Sequence, residues 1–317
     1  MANQTSSAVD LRKVFWISWH HNPYNDYLFD ELNNSFDLDL FYVKKVLSTH
    51  PWAGAGGVEH KSYYLSNVRS ILFAFRKCLS QYDIRVIAGW NHPVMIAMIL
   101  ILAITGKEYA IWSDTPALHR KNNLIKKTLR KWWLNFAFKH AKKILVTGNI
   151  GVQRMKELGV KKTLNFPFAT NTNYFRPREN IIKSLDTINF ISSGRLLNSH
   201  KGFDVAIKAF GLLKRKNPSF KFSYLIAGTG PDEHSLQQLI SAEKLENEIK
   251  LIGWIQQSEL LSFYQRGEVF VHSSHFDPFP NVVLEAMACG LPVLGSNSAG
   301  SVCDRVSWPR TWPVPAR

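Results

Sequence analysis

The sequence has few cysteines, few acidic residues and no long apolar run. Its three cysteines, Cys78, Cys289 and Cys303, are an odd number without metal-ligand spacing, which excludes a zinc module and a fold built on disulfides. The most apolar stretch, residues 94–105, has twelve residues and is too short to cross a bilayer. The N-terminus lacks the basic and then apolar segments of a signal peptide. We therefore predict a cytoplasmic protein with free thiols.

Acidic residues are outnumbered by basic ones. The chain has 39 lysines and arginines against 24 aspartates and glutamates, a formal net charge of +15. Such a charge suits an acidic partner, and nucleic acid, anionic lipid and nucleotide phosphates are the candidates. Because no helix-turn-helix, zinc finger or RNA-binding aromatic motif is present, nucleic acid is not predicted. No His-Glu-x-x-His motif or cysteine cluster occurs either, so we predict no metal site.

Strand-like and helix-like patterns alternate along the chain, which predicts an α/β fold with parallel sheets, and 317 residues suffice for two domains. We expect one domain over residues 12–167, a linker over 168–185, a second domain over 186–300 and an irregular tail over 301–317. The predicted strands are residues 14–19, 38–43, 84–88, 109–112, 143–147, 187–193, 222–227, 249–253, 269–272 and 292–294. The predicted helices are residues 24–34, 62–79, 93–105, 124–140, 150–158, 203–216, 232–242, 257–266 and 282–288.

The most informative segment, residues 275–293, contains two acids eight positions apart. Asp277 falls in a loop because prolines follow it, whereas Glu285 falls inside the predicted helix 282–288. The start of that helix offers free N–H groups and partial positive charge, which suit a phosphate. A carboxylate one turn further can accept from a sugar hydroxyl. The candidate ligand contacts at the helix start are Phe279, Asn281 and Val282.

A second pattern lies at the start of the predicted second domain. Gly194 and Arg195 end a strand, and Lys201 and Gly202 precede a helical run, so we expect the helix to start there. A glycine-containing loop between a strand and a helix is where open α/β sheets bind phosphates. Arg195 can bind a diphosphate through two hydrogen bonds, and Lys201 adds a point charge.

Together these motifs resemble the E-x7-E signature of family-four retaining glycosyltransferases, which have the GT-B fold. The Pro-Phe-Pro-Asn loop, the Glu-Ala-Met-Ala helix and Gly-Leu-Pro-Val accompany the two acids, although the first acid is aspartate here. The resemblance implies two Rossmann-like domains facing across a cleft. It also implies metal-independent, cofactor-free transfer of a sugar from a nucleoside-diphosphate donor to an acceptor hydroxyl, with retention. Arg195 and Lys201 would hold the diphosphate, Asp277 would orient the sugar, and Glu285 would hold donor hydroxyls.

Other candidates are weaker. Trp254 follows a strand that resembles the family's base-binding strand, but a buried tryptophan without a ligand fits equally well. In the first domain, His92 and Asp114 follow predicted strands and His119 lies nearby, so we name them as contacts of the donor sugar or the acceptor, with Asp114 as a candidate catalytic residue. For each of these three, a loop residue that caps a helix is an equally good interpretation.

Residues 120–143 are rich in lysine, arginine and aromatic residues. As a helix they would resemble a membrane-surface segment, and a core-packed helix with a basic rim is the alternative. Combined with the family resemblance, this predicts a lipid-linked or saccharide acceptor in surface polysaccharide synthesis, such as lipopolysaccharide, capsule or exopolysaccharide. We expect a peripheral location on the cytoplasmic face of the inner membrane.

The end of the sequence departs from the resembled family. Residues 301–317 show no periodicity, whereas family members continue with a further strand and several helices, so a C-terminal truncation is expected. Two alternatives to a transferase stay open: an inactive truncated fragment that binds nucleotide, and a nucleotide-sugar epimerase of GT-B fold.

Overall fold

The computed structural model describes residues 11–44, 60–114, 124–179 and 186–305. The chain divides into two compact units. Unit 1 consists of Met1–Val146 and Arg154–Phe166, and unit 2 consists of Thr147–Gln153 and Pro167–Arg317. The described residues of each unit form one parallel β-sheet with helices in the connections between strands.

The sheet of unit 1 has seven strands in the order β3-β2-β1-β4-β5-β6-β7. The strands are β1 (Lys13–His20), β2 (Asp37–Lys44), β3 (Ser62–Tyr64), β4 (Ile84–Ala88), β5 (Ala110–Ser113), β6 (Lys143–Val146) and β7 (Thr163–Asn165). The helices in this part of the chain are α1 (Pro23–Ser35), α2 (Val68–Leu79), α3 (Pro93–Ile104), α4 (Leu124–His140) and α5 (Gly148–Glu157).

Strand β1 shows why the first unit forms a parallel sheet. Val14, Phe15, Trp16 and Ile17 are consecutive and all buried, although alternate side chains point to opposite faces. Both faces of β1 are therefore covered, which is characteristic of the inner strands of parallel sheets.

The predicted helix over residues 62–79 is wrong in its first part. Ser62–Tyr64 form strand β3, which pairs in parallel with β2, and helix α2 begins only at Val68. Asn67 sets that start: its side-chain oxygen accepts from the backbone N–H of Ser70 at 2.9 Å, and the Ser70 hydroxyl oxygen accepts from the Asn67 N–H at 3.1 Å. This reciprocal capping ends the extended segment and starts the helix.

The sheet of unit 2 has five strands in the order β10-β9-β8-β11-β12. The strands are β8 (Ile188–Ser193), β9 (Phe222–Ala227), β10 (Ile249–Gly253), β11 (Val269–His272) and β12 (Val293–Gly295). The helices are α6 (Asn198–Lys201), α7 (Phe203–Lys216), α8 (Glu233–Ala242), α9 (Gln257–Tyr264), α10 (Asn281–Ala288) and α11 (Gly300–Arg305). The tail predicted to be irregular from residue 301 is thus helical as far as Arg305, and residues 306–317 lie outside the described residues.

Each sheet has one point at which the direction of strand addition reverses. In unit 2, β9 and β10 lie on one side of β8, and β11 and β12 lie on the other. In unit 1, β2 and β3 lie on one side of β1, and β4 to β7 lie on the other. In open α/β sheets, ligands bind beyond the carboxyl ends of the two strands at such a point. The topology therefore predicts ligand-binding positions at the loops after β8 and β11 in unit 2, and at the loops after β1 and β4 in unit 1.

Candidate functional site

The two selected loops of unit 2 contain the predicted phosphate and acid motifs. Ser193, Gly194 and Arg195 stand where β8 ends, and residues 273–280 follow β11. Gly194 has φ of +156°, a value that favours glycine. The side chain of Arg195 is exposed and has no hydrogen-bond or ion-pair partner among residues 11–44, 60–114, 124–179 and 186–305. Its guanidinium is therefore available to an anion from solution.

Lys201 ends the short helix α6, which was not predicted, whereas the predicted helix over residues 203–216 begins at Phe203 as α7. Gly202 separates α6 from α7 in the left-handed conformation, with φ of +61°. A Cβ atom at Gly202 would lie 2.3 Å from the backbone oxygen of Ser273, so only glycine lets the loop after β11 come this close.

Lys201 and Asp277 are paired with each other. The Nζ atom of Lys201 forms an ion pair with Oδ2 of Asp277, and Nε2 of His272 lies 3.4 Å from the same oxygen. Burial alone would raise the pKa of Asp277, but the close approach of the His272 ring and the charge of Lys201 outweigh it and lower that pKa. Asp277 is therefore ionised at neutral pH.

Glu285 is buried on α10, and its environment differs from that of Asp277. Burial raises the pKa of Glu285 to about 7, and a hydrogen bond from Tyr264 acts in the opposite direction. The hydroxyl of Tyr264 donates to Oε2 of Glu285 at 2.6 Å, and it lies 3.1 Å from the hydroxyl of Ser193. Glu285 is thus connected through Tyr264 to Ser193, the last residue of β8, which directly precedes Gly194 and Arg195.

The start of α10 lies at the same sheet edge. Pro280 is its N-cap, and no side chain caps the helix. Phe279 is buried, with its ring centroid 6.2 Å from that of Phe168, and Val282 is half-buried. The buried Oδ1 atom of Asn281, the first residue of the helix, has no hydrogen-bond partner within the described part of the chain.

Trp254 follows β10, which is not at the reversal point. The backbone N–H of Gly228 donates to the backbone oxygen of Gly253 at 2.7 Å, so Trp254 adjoins the loop after β9. Its indole nitrogen is buried and unpartnered among the residues that the structure describes. The structure therefore places Trp254 two strands away from Arg195.

Two of the unit 1 candidates follow neighbouring strands of the sheet: His92 lies in the loop after β4, and Asp114 comes directly after β5. His92 caps α3: its Nδ1 accepts from the Val94 N–H at 3.3 Å, and its ring lies 4.7 Å from that of Trp19 on β1. Burial, assisted by the charge of Lys44, lowers the pKa of His92, so this ring is neutral at pH 7. The helix-cap interpretation of His92 is thus confirmed, and the cap lies at the reversal point of the sheet.

Asp114 lies one strand further on. It is exposed, its backbone oxygen accepts from Ser113 at 2.7 Å, and Ser113 accepts from the indole of Trp90 at 3.1 Å. His119 lies outside the described residues.

Helix α4, which covers most of the basic aromatic segment, has a packed face and an exposed face. Leu134, Ala137 and Phe138 are buried in the core, whereas Leu129 is 62% and Trp132 is 65% exposed. The lysines at 126, 131 and 139 are exposed as well. The core-packed interpretation therefore applies to one face of the helix, and the membrane-surface interpretation of the exposed face stays a prediction. Among the described residues, no helix combines the length and the apolar character that a membrane crossing needs.

Two residues with contacts to the acids were not predicted. His272 ends β11 and approaches Asp277, and Tyr264 ends α9 and approaches Glu285. Neither has a sequence signal, because both contacts are made by folding. Within the described residues, no group of three His, Cys, Asp or Glu side chains could hold a metal ion.

Comparison with known proteins identifies a family match for most of unit 2. Residues 176–307 match the model of the family described as Glycosyl transferases group 1. This segment is a group 1 glycosyl transferase domain. An uncharacterized glycosyltransferase of Haemophilus influenzae is 30% identical to the chain over 141 residues, which are 44% of this chain and 38% of that protein. The matched segment thus spans well under half of this curated relative.

Solved structures extend the fold assignment beyond the glycosyl transferase domain. Sucrose-phosphate synthase from Thermosynechococcus elongatus superposes with a TM-score of 0.66 at 17% identity, over 91% of this chain and 82% of that one. The catalytic domain of starch synthase IV from Arabidopsis thaliana, bound to ADP and acarbose, gives 0.62 at 10% identity, over 96% and 86%. The predicted fold class, the α/β fold of GT-B glycosyltransferases, is confirmed.

Proposed function

We propose that this protein transfers a sugar from a nucleoside-diphosphate donor to an acceptor hydroxyl, with retention of the anomeric configuration. The observation that carries the proposal is the convergence of Arg195, Lys201, Asp277 and Glu285 at one reversal point of the unit 2 sheet. Lys201 contacts Asp277 directly, and Glu285 is connected through Tyr264 to the strand that ends beside Arg195.

The diphosphate would lie between Arg195 and Lys201. Arg195 is exposed at the end of β8, and the Lys201 side chain passes this loop: a Cβ at Gly194 would lie 3.7 Å from Cε of Lys201. Two cations on adjoining segments can offset the charge that develops on a leaving diphosphate. Because side chains supply this charge, we expect no metal ion or cofactor to be required.

The two carboxylates would bind hydroxyl groups of the donor. Asp277 is ionised and lies beside Lys201. The lysine that would bind the diphosphate and the aspartate that would bind the sugar are therefore neighbours. Glu285 lies one turn inside α10, near the start of the helix. The family match supports sugar transfer, and the ADP bound by the structurally similar starch synthase supports a nucleotide donor. Retention rests on the resemblance to the E-x7-E signature.

The acceptor would bind to unit 1 near His92 and Asp114. We propose that it is the lipid-linked saccharide of a growing surface polysaccharide, reached from the cytoplasmic face of the inner membrane. Helices α2, α3 and α4 contain no acidic residue, and α4 exposes Trp132 and Leu129 among lysines. Such a face suits an anionic lipid surface, because cations bind the headgroups while apolar side chains enter the interface.

The purified chain should bind nucleoside diphosphates and release one from the correct sugar donor. We would measure binding of UDP, ADP and GDP by calorimetry, and then screen the corresponding sugar nucleotides for diphosphate release, with and without EDTA. Binding of one diphosphate, with EDTA-insensitive turnover of its sugar form, is expected. Absence of binding to every nucleotide would reject the proposal, and interconversion of donor sugars without transfer would favour the epimerase.

A further inference from the structure

A chain of three buried polar side chains runs through the core of unit 2. Ser193 ends β8, Tyr264 ends α9, and Glu285 lies on α10. The Tyr264 hydroxyl is 2.6 Å from Oε2 of Glu285 and 3.1 Å from the Ser193 hydroxyl. Tyr264 is fully buried, and its ring packs against Phe175 and Phe270 with centroids 5.7 and 5.8 Å away. The aromatic contacts fix the ring, so its hydroxyl has one position.

The directions of the hydrogen bonds follow from the groups present. An ionised carboxylate can only accept hydrogen bonds, so the Tyr264 hydroxyl must be the donor in its hydrogen bond with Glu285. The tyrosine oxygen then accepts, and Ser193 must be the donor to Tyr264. Each bond polarises the next, which strengthens the one that reaches the carboxylate. Both hydrogen bonds are therefore donated in the same direction, from Ser193 at the end of β8 to Tyr264 and from Tyr264 to Glu285.

Among the residues that the structure describes, no cation interacts with Glu285 in place of this hydrogen bond. Among the described residues, the titratable groups that interact with it are Tyr264, Tyr174 and Cys289. Their pKa values are all raised, that of Cys289 to about 11, so these groups are neutral at pH 7. The Tyr264 hydroxyl is therefore the group that stabilises the negative charge of Glu285 against burial.

We propose that Tyr264 is a positioning residue that favours the ionised form of Glu285 and orients its carboxylate toward donor hydroxyls, with Ser193 fixing the direction of the Tyr264 hydroxyl. The inference rests on the proposed function, because it assigns to Glu285 a hydroxyl group of a bound donor. Tyr264 lies on α9, outside the motifs predicted from the sequence, and would thus belong to the donor-binding site.

The test compares Tyr264→Phe with the wild type in the absence of any ligand. The titration of Glu285 is followed by infrared difference spectra against Glu285→Gln in each background. Removal of the hydroxyl should raise the titration midpoint by about one pH unit or more, as expected for loss of a hydrogen bond to a charged group. Ser193→Ala should shift the midpoint in the same direction by less. It also serves as the second variant if Tyr264→Phe does not fold.

Tyr224→Phe is the matched control. Tyr224 is also fully buried in unit 2, and its hydroxyl lies 2.7 Å from that of Ser192, the residue next to Ser193. Its replacement removes the same kind of atom from the interior of the same unit and should leave the Glu285 midpoint unchanged. An equal shift in Tyr224→Phe would show a general effect of core loosening and would overturn the proposal, as would an unshifted midpoint in Tyr264→Phe.

Donor binding then separates this inference from the proposed function. If the wild type binds one of UDP, ADP or GDP, the affinity for the corresponding sugar nucleotide should fall severalfold at pH 7 in Tyr264→Phe and recover at higher pH, where Glu285 ionises again. Equal affinity in both proteins at every pH would reject the positioning role alone. Absence of nucleotide binding by the wild type would reject the proposed function, whatever the titration shows.

Discussion

The ammonium of Lys201 and the carboxylate of Asp277 are bound to each other, 76 residues apart in sequence, inside the group 1 glycosyl transferase domain. The Lys201 side chain is 24% exposed and that of Asp277 is 11% exposed, so the pair is largely shielded from water. Each charge therefore depends on the other for compensation. This relationship leads to the first of four predictions; the others concern Arg195, which has no side-chain partner within the described residues, the buried Glu285, and the exposed face of α4.

Asp277→Asn should destabilise unit 2 by about 1–3 kcal/mol, because it leaves a partly buried ammonium beside a neutral amide. Since the pKa of Asp277 is lowered in the fold, its contribution to stability is present above the unfolded value of 3.8 and is lost as pH falls through the folded value. Chemical denaturation at pH 7 and at pH 3 measures both effects. In the double variant with Lys201→Met, the loss should be smaller than the sum of the single losses; strict additivity would show that the two charges do not interact.

Arg195→Ala should weaken binding of a nucleoside diphosphate by about 1.5–3 kcal/mol, the strength of a charged hydrogen bond, without lowering the melting temperature. The fold should not change, because the guanidinium has no partner within the described residues. Calorimetry checks the affinity. Arg266→Ala is the control: Arg266 is equally exposed but precedes β11, so it lies at the opposite edge of the same sheet. Equal losses in both variants would indicate a non-specific charge effect.

Glu285→Gln should stabilise the protein relative to the wild type at alkaline pH while reducing turnover. The pKa of Glu285 rises from 4.5 to about 7 on folding, so its protonated form stabilises the fold below pH 4.5 and this contribution is lost as pH rises through 7. Glutamine stays neutral, so the variant should gain about 3 kcal/mol relative to the wild type between pH 5 and pH 8. Thermal melts across this range measure the gain. A stability difference that is independent of pH would mean that Glu285 titrates normally.

The exposed face of α4 should bring the protein to anionic vesicles, with roughly 1 kcal/mol for each cation near the surface. Salt should release it, because exposed charges are screened. Lys131→Gln with Lys139→Gln, and separately Trp132→Ala, should reduce sedimentation with vesicles that contain phosphatidylglycerol. Lys216→Gln with Lys221→Gln removes the same charge from exposed positions in unit 2 and should have no effect. Equal binding to neutral and anionic vesicles would assign the face to another role.

Much of the fold could be predicted from the sequence, because long elements carry a periodic pattern. The predicted helix 203–216 and strands 222–227 and 249–253 coincide with α7, β9 and β10. The edge strands β3 and β7, with three residues each, and the helices α6 and α11, with four and six, are too short to show a period. The start of α2 was missed because the Asn67 cap acts through side-chain geometry and not through hydrophobic spacing.

The candidate site could be located from the sequence, but its internal contacts could not. Motif spacing pointed to Arg195, Lys201, Asp277 and Glu285, whose roles remain predictions. The pairing of Lys201 with Asp277 and of Tyr264 with Glu285 depends on strand order, which brings segments 76 and 21 residues apart into contact. No local pattern encodes such contacts.

The close approach at Gly202 has a consequence for how the site can exchange partners. The backbone oxygens of His200 and Gly202 bind the loop after β11: that of His200 accepts from the His275 N–H and the Ser274 hydroxyl, and that of Gly202 accepts from the Ser273 hydroxyl. These bonds do not involve the Lys201 ammonium. We therefore expect that Lys201 can exchange Asp277 for an arriving anion without breaking any of the hydrogen bonds that hold α6 against the loop.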